Sequence, residues 1–196
     1  MTQALELRQK VKAAYSEAAY DPQARHPFPV GRVFAEGLGY PAELLDRVPA
    51  VSLEAFTGVS NVAVFAEIPW GATILDLGCG AGLDSLIAAH RTGPAGGVLG
   101  MDFSSSMLAR ARQGQSESGA DRVWFCQADG ERLPLPDGSI DVALINGIFN
   151  LNPERTAIFR ELGRVVKRGG AVFAAELVLR EPLPADQRER EDNWFA

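Results

Sequence analysis

Cysteine, long apolar stretches and positive charge are all scarce in this 196-residue sequence. Its two cysteines, Cys79 and Cys126, are too few for a disulfide framework. No uncharged apolar run approaches the roughly 20 residues that span a bilayer. Residues 1–20 mix charged and apolar side chains, unlike a secretory signal. We therefore expect a cytoplasmic protein that does not engage a membrane.

The charge balance is acidic. Nineteen Lys and Arg residues stand against 25 Asp and Glu residues, which gives a formal net charge of −6. A nucleic-acid-binding surface needs clustered positive charge, so we expect no nucleic-acid partner and favour a small molecule as substrate. With 46% hydrophobic residues, the chain is long enough for one domain with a substantial core but short for two.

The first 72 residues combine one amphipathic segment with many helix breakers. Apolar residues from Leu5 to Ala18 recur at helical spacing, which predicts a helix that ends before Pro22. Prolines and glycines then interrupt the pattern up to Pro41. We expect residues 1–72 to form an N-terminal helical cover or lid. Shorter helices are predicted at residues 33–38, 42–48 and 53–56.

From Thr73 onward, short apolar runs alternate with helical patterns, which is typical of βα units. The nearly continuous apolar runs at residues 74 and 140 indicate strands covered on both faces. The pattern predicts an α/β fold with a doubly wound, mostly parallel sheet over residues 73–180, followed by a charged tail over 181–196. The predicted strands are Thr73–Leu77, Val98–Asp102, Val123–Gln127, Ile140–Ile145 and Ala171–Leu179. The predicted helices are 82–91, 105–118 and 153–167, the last ended by Gly169 and Gly170.

A glycine-rich loop follows the first predicted strand. Three glycines alternate over residues 78–82, Asp76 precedes them, and Asp102 ends the next strand. Glycine is needed where the backbone takes positive φ or touches a ligand. An acid after the second strand suits ribose recognition, although Asp102 also fits as a helix-capping residue. Leu83 stands where the dinucleotide pattern G-x-G-x-x-G has its last glycine, which disfavours a nicotinamide oxidoreductase.

The segment D-L-G-C-G-A-G at residues 76–82 resembles motif I of the class I S-adenosylmethionine-dependent methyltransferases. Three later segments are similar to that family in the same order: A-D-G at 128–130, L-P-L-P-D-G-S-I-D-V at 133–142, and E-L-G-R-V-V-K-R-G-G at 161–170. The resemblance covers about residues 73–180. It implies a Rossmann-like methyltransferase fold, S-adenosyl-L-methionine as cofactor, and methyl transfer to a small molecule. A non-catalytic S-adenosylmethionine-binding protein of the same fold is the alternative.

The resemblance also implies which residues bind the cofactor. Asp76 would hold the methionine end and Asp102 the ribose hydroxyls. Asp129 would face the adenine amino group, although a loop acid at the surface needs no function. Tyr15 would close over the methionine end, unless it is an aromatic core anchor. The full expected set is Tyr15, Asp76, Gly78, Cys79, Gly80, Gly82, Asp102, Phe103, Met107, Ala128, Asp129, Gly130 and Asn146. No catalytic residue and no metal ligand is assigned.

The flanking segments at residues 11–20, 39–45, 58–61 and 82–85 look like the arsenite methyltransferase branch of that family. That branch binds arsenic through thiolates, and soft thiolates suit such a centre. Two of its cysteines are matched here by Val59 and Gly147, and a third would fall at or beyond the end of this chain. We therefore expect the fold and the cofactor of the branch but not its arsenic substrate.

The charged segment at residues 181–196 is too short for the further helix and antiparallel strand pair that the family adds. We expect the C-terminal strands to be missing and the fifth strand to be an open edge. Open apolar edges invite pairing, which indicates a truncated chain first and a homodimer through this edge second.

Overall fold

The computed structural model describes residues 3–178, with side chains from Glu6 onward. These residues form a helical N-terminal part followed by alternating strands and helices. The helices are α1 (Gln3–Tyr20), α2 (Arg32–Gly37), α3 (Ala42–Leu45), α4 (Ala50–Glu54), α5 (Val62–Phe65), α6 (Leu83–Thr92), α7 (Ser105–Ser118) and α8 (Arg155–Val165). The strands are β1 (Thr73–Leu77), β2 (Gly97–Asp102), β3 (Val123–Gln127), β4 (Ile140–Asn146) and β5 (Val166–Ala175).

The five strands form one parallel sheet in the order β3-β2-β1-β4-β5. Leu77 at the end of β1 lies opposite Met101 of β2 and Ile145 of β4, so these strands end at the same edge. The strand order reverses at β1, which is where open α/β sheets bind ligands. The doubly wound parallel sheet predicted from the sequence is confirmed.

Each face of the sheet is buried by a different set of helices. Ile74 of β1 packs in a cluster with the side chains of α6 and of the short helices α2–α5. Leu75 and Leu77 point to the opposite face and pack against α8. The hydrophobic cluster on the first face therefore joins the N-terminal segment directly to the sheet.

The last strand begins earlier than predicted. α8 ends at Val165, and β5 starts at Val166 instead of Ala171. The predicted role of Gly169 and Gly170 as the end of the helix was therefore wrong. The pairing of β4 with β5 shifts register between Ile140 and Val142, and Gly169 has a φ of 84° within this bulge. A bulge, like a helix end, uses a glycine at positive φ, so the local sequence signal was the same.

The short helices of the cover also differ from the prediction. α3 stops at Leu45 instead of continuing to 48, and α4 begins at Ala50, before the predicted start at 53. Pro49 explains both changes, because its ring prevents continuation of a helix from the preceding turn but suits the start of the next. The amides of Ser52 and Leu53 bond to the Pro49 carbonyl.

Within residues 3–178, β5 pairs on one side only and forms an edge of the sheet, as predicted. β5 ends at Ala175, so the prediction that the fifth strand continues is wrong for residues 176–178. Residues 179–196, which include the charged tail, lie outside the described residues. None of the helices in the described part combines the length and hydropathy that crossing a bilayer requires.

Candidate active site

A cleft lies at the carboxyl edge of the sheet, above the ends of β1, β2 and β4. It consists of two adjoining pockets that share the walls Gly78, Asp102, Phe103, Ile148 and Leu151. The first pocket is bounded by α1 and by the turn after β3, and its walls include Arg8, Val11, Ala128, Asp129 and Gly130. The second lies below the segment at residues 55–58, and its walls include Tyr15, Asp76, Cys79, Gly80 and Asn146.

The glycine loop shapes both pockets. Gly78, Gly80 and Gly82 have φ values of 77°, 52° and 89°, which side-chain-bearing residues rarely adopt. A Cβ on Gly78 would lie 2.3 Å from Cγ2 of Ile148, whereas a Cβ on Gly80 would meet no described atom within 4 Å. Gly80 therefore leaves room beside the cleft. Gly82 instead is the N-cap of α6, where a Cβ would lie 2.9 Å from the ring of Phe125.

Two backbone amides hold the Asp102 carboxylate at the cleft. Its Oδ2 accepts a hydrogen bond from the Gly80 amide at 2.9 Å, and its Oδ1 accepts one from the Ser104 amide at 2.8 Å. Burial raises the pKa of Asp102, and these backbone hydrogen bonds oppose the rise. Ser104, not Asp102, is the N-cap of α7, since its hydroxyl accepts from the Met107 amide. Asp102 borders both pockets, and its carboxylate has lone pairs that these two hydrogen bonds do not use.

Asp76 and Asp84 place two carboxyl groups in a buried position behind the glycine loop. Asp84 accepts hydrogen bonds from the Tyr40 hydroxyl at 2.6 Å, from Asn146 Nδ2 at 2.8 Å and from the Ala63 amide at 3.3 Å. Asp76 accepts one from the Ser85 hydroxyl at 2.5 Å. Burial, followed by the negative charge of Asp84, raises the pKa of Asp76 to about 8. Asp84 has more donors, so we infer that the pair holds its proton on Asp76.

The amide of Asn146 uses its full hydrogen-bonding capacity inside the protein. Oδ1 accepts from the amides of Val59 and Ser60 at 2.8 and 3.1 Å. Nδ2 donates to the Ser60 carbonyl at 2.7 Å and to Asp84 at 2.8 Å. An amide side chain has two acceptor sites and two donors, so none is left for a ligand. Asn146 lines the cleft, but its contacts fasten the segment at residues 59–60 to the end of β4.

Asp129 lies at the mouth of the first pocket and is held by the N-terminal helix. Arg8 of α1 contacts Asp129 Oδ2 at 2.5 Å and Glu131 Oε1 at 3.0 Å. Asp129 Oδ1 accepts from the Glu131 amide at 3.0 Å. Ala128 and Gly130, on either side, also border the pocket, so the predicted A-D-G segment reaches the cleft as a unit.

Of the remaining predicted residues, Tyr15 and Cys79 line the second pocket, whereas Met107 lines neither pocket. Tyr15 lines the second pocket, and its ring stacks on Phe28 with centroids 4.7 Å apart, so it contacts the cleft and anchors an aromatic pair. Cys79 also lines this pocket, where burial and the charges of Asp102 and Asp76 raise the pKa of its thiol. Met107 is buried against Ala81 and α1 and borders neither pocket.

Arg8, Asp84 and Ile148 are among the cleft residues that sequence reasoning missed. Asp84 carried a signal, because a carboxylate in the otherwise apolar first turn of a helix needs a partner if it is buried. Arg8 carried none, since its partner Asp129 lies 121 positions away in sequence. Ile148 contacts the glycine loop only because β4 lies beside β1 in the sheet.

Comparison with known families shows the family to which the chain belongs. A family model described as "Methyltransferase domain" matches residues 70–195, more than half of the chain. The chain belongs to the methyltransferase-domain family. This assignment confirms the resemblance that was stated from the motifs, and the use of S-adenosylmethionine is implied by the family.

Individual relatives agree with the family. An arsenite methyltransferase of Halobacterium salinarum is 36% identical over 152 residues, which is 78% of this chain and 39% of the relative. A demethylmenaquinone methyltransferase of Lactococcus lactis is 36% identical over 106 residues, which is 54% of this chain and 42% of the relative. The chain therefore spans about two fifths of the length of these curated relatives.

Among solved structures, the arsenic(III) S-adenosylmethionine methyltransferase CrArsM of Chlamydomonas reinhardtii superposes with a TM-score of 0.61 at 27% identity. The superposition covers 81% of this chain and 52% of the algal protein.

Proposed function

We propose that this methyltransferase-family chain binds S-adenosylmethionine in the cleft and transfers its methyl group to a small molecule. The observation that carries the proposal is the convergence of three backbone-anchored groups on one cleft: the glycine loop, the Asp102 carboxylate and the turn at residues 128–130. Each of these groups is held by hydrogen bonds to other parts of the protein, so the site is largely formed before a ligand enters it.

The chemistry of the cleft fits the cofactor part by part. Asp102 offers unused carboxylate lone pairs, which suit the two ribose hydroxyls. Gly80 leaves room for close approach of a ligand to the backbone, because a Cβ there would meet no atom of the described residues within 4 Å. The ring of Tyr15 borders the second pocket and suits the sulfonium of the methionine end. Asp76 borders the same pocket and suits the ammonium, because a bound cation would favour loss of the Asp76 proton. The turn at residues 128–130 borders the first pocket and is assigned to adenine.

The walls of the second pocket include Phe56 and Thr57, which do not border the first pocket, and we assign the methyl acceptor to this part. Bound S-adenosylmethionine supplies an activated methyl group together with its leaving group. The chain therefore has to align the acceptor and exclude water, and an acid or base is not obligatory. Ile148 and the segment at residues 55–58 form the walls that would exclude water from the acceptor.

Isothermal titration with S-adenosylmethionine, S-adenosylhomocysteine and NAD tests the cofactor assignment. We expect binding of the first two and none of NAD. A panel of small acceptors, including quinols of the demethylmenaquinone type, incubated with methyl-labelled cofactor tests transfer. Binding of the cofactor with no transfer to any acceptor would favour the alternative, a non-catalytic S-adenosylmethionine-binding protein. Binding of NAD alone would contradict both.

A further inference from the structure

A polar network crosses the mouth of the first pocket and joins three separate elements. Arg8 on α1 contacts both Asp129 and Glu131 in the turn after β3. Asn152, in the loop that precedes α8, donates to the same Glu131 oxygen at 3.1 Å. Arg8, Asp129 and Asn152 all border the pocket. A ligand in this pocket would therefore lie against the inner side of the network.

The network fixes the direction of the Asp129 carboxylate. One of its oxygens accepts from the Glu131 amide and the other from the Arg8 guanidinium. A carboxylate has about four lone-pair sites, so about two remain. The Asp129 side chain is 46% exposed, and among the described residues the Glu131 amide is the contact that would restrain it without Arg8. Arg8 is therefore the group that decides whether the remaining lone pairs keep one orientation.

Buried residues further along α1 hold the helix that carries Arg8. Val11, one turn further along α1, is 3% exposed and forms part of the same pocket wall. Ala18 and Ala19 near the end of α1 are buried against Met107 of α7. The helix thus presents Arg8 at a defined place beside the pocket.

We propose that Arg8 is a positioning residue that sets the base specificity of the cofactor site. It holds Asp129 so that the free carboxylate lone pairs accept a hydrogen bond from the exocyclic amino group of adenine. This inference rests on the proposed function, because it requires the adenine of the cofactor to occupy the first pocket. A base with a carbonyl oxygen at the same position would face the held carboxylate and be rejected.

The test compares two ligands that differ at one group, S-adenosylhomocysteine and S-inosylhomocysteine, which has a carbonyl in place of the amino group. For the unmodified chain we expect the amino form to bind at least about tenfold more tightly, the equivalent of one good hydrogen bond. In Arg8→Ala the ratio of the two dissociation constants should fall about fivefold or more. Arg8→Lys should give an intermediate ratio, because lysine keeps the charge but not the planar guanidinium. Arg25→Ala removes an exposed arginine beyond α1 and is the matched control, with an unchanged ratio.

The outcomes separate the inference from the proposed function. If Arg8→Ala weakens both ligands equally, Arg8 only supports the packing of α1, and the inference is wrong while the cofactor assignment stands. If the unmodified chain binds neither ligand, both are wrong. Should Arg8→Ala fail to fold, the ratio in Arg8→Lys decides, since a ratio equal to that of the unmodified chain would overturn the proposal.

Discussion

The side-chain amide of Asn146 donates a hydrogen bond of 2.8 Å to Asp84, although 62 positions separate the two residues in sequence. Asp84 in turn accepts from the Tyr40 hydroxyl at 2.6 Å. Asn146 also accepts hydrogen bonds from the Val59 and Ser60 amides, so the end of β4 holds the residues that directly follow the segment at 55–58 above the second pocket. The cover of the site is therefore attached by buried polar contacts as well as by apolar packing.

Replacement of Asn146 should destabilise the fold. In Asn146→Ala, the amides of Val59 and Ser60 lose their acceptor and Asp84 loses a donor, which should lower the free energy of unfolding by about 2–3 kcal/mol. Urea denaturation of the variant and of the exposed control Gln113→Ala measures the difference. Equal midpoints for Asn146→Ala and the control would show that these contacts do not fasten the cover.

Asp102→Ala should weaken cofactor binding strongly. Loss of charge-assisted hydrogen bonds to the ribose should reduce the binding free energy of S-adenosylhomocysteine by about 2–4 kcal/mol. The variant also removes the acceptor of the Gly80 amide, so its melting temperature has to be measured beside the affinity. Asp121→Ala, an exposed acid before β3, is the control. Unchanged affinity in Asp102→Ala would disprove the ribose assignment.

The buried carboxyl of Asp76 should make stability depend on pH. Its pKa is raised to about 8, above the value near 3.9 expected for an unfolded chain. A raised carboxyl pKa means that the folded state retains the proton longer, so stability falls as pH rises from about 4 to about 8. Asp84 and Asp102 face the same group and contribute to this rise.

The comparison of the unmodified chain with Asp76→Asn across pH 5 to 8 isolates this effect. We expect the stability of Asp76→Asn relative to the unmodified chain to increase over this range, as measured by chemical denaturation. A constant difference between the two proteins would show that Asp76 does not titrate there.

Arsenite should not be methylated by this chain. The positions where the arsenite branch has cysteines are Val59 and Gly147, and they are in contact: a Cβ on Gly147 would lie 2.9 Å from Val59 Cγ1. Cys79 lies in the glycine loop and Cys126 in β3, and no group of three or more metal-ligating side chains gathers among residues 3–178. The assay uses protein that is shown to bind the cofactor. Incubation of this protein with arsenite, a thiol reductant and S-adenosylmethionine should give no methylated arsenic. Detection of methylated arsenic would refute this expectation.

We propose that the edge strand β5 pairs with a second copy of the chain. Val172 on this strand is 45% exposed, and exposed apolar edges favour pairing. Sedimentation should therefore show a dimer, and Val172→Lys should shift it to a monomer. Val33→Lys, at an exposed position on α2, is the control and should remain a dimer. A monomeric unmodified chain at the same concentration would rule the proposal out.

The sequence alone determined the parallel sheet, the glycine loop, and the acids Asp76 and Asp102 beside it. These features depend on short-range patterns, namely strand periodicity and glycines at positive φ. Such patterns can be recognised within a few consecutive residues of the sequence. The sequence alone did not determine the bounds of β5, because a bulge and a helix end both use glycine at positive φ.

Only the tertiary structure decided what the side chains of the site actually contact. Asn146 was expected to bind the cofactor, and its position on the cleft agrees, but its hydrogen-bonding groups are taken by Val59, Ser60 and Asp84. Asp129 was expected to face the adenine, and the structure adds that Arg8 holds it. Such pairings join residues from distant parts of the chain. Their identity follows from the order of strands in the sheet and the path of α1, which no local pattern records.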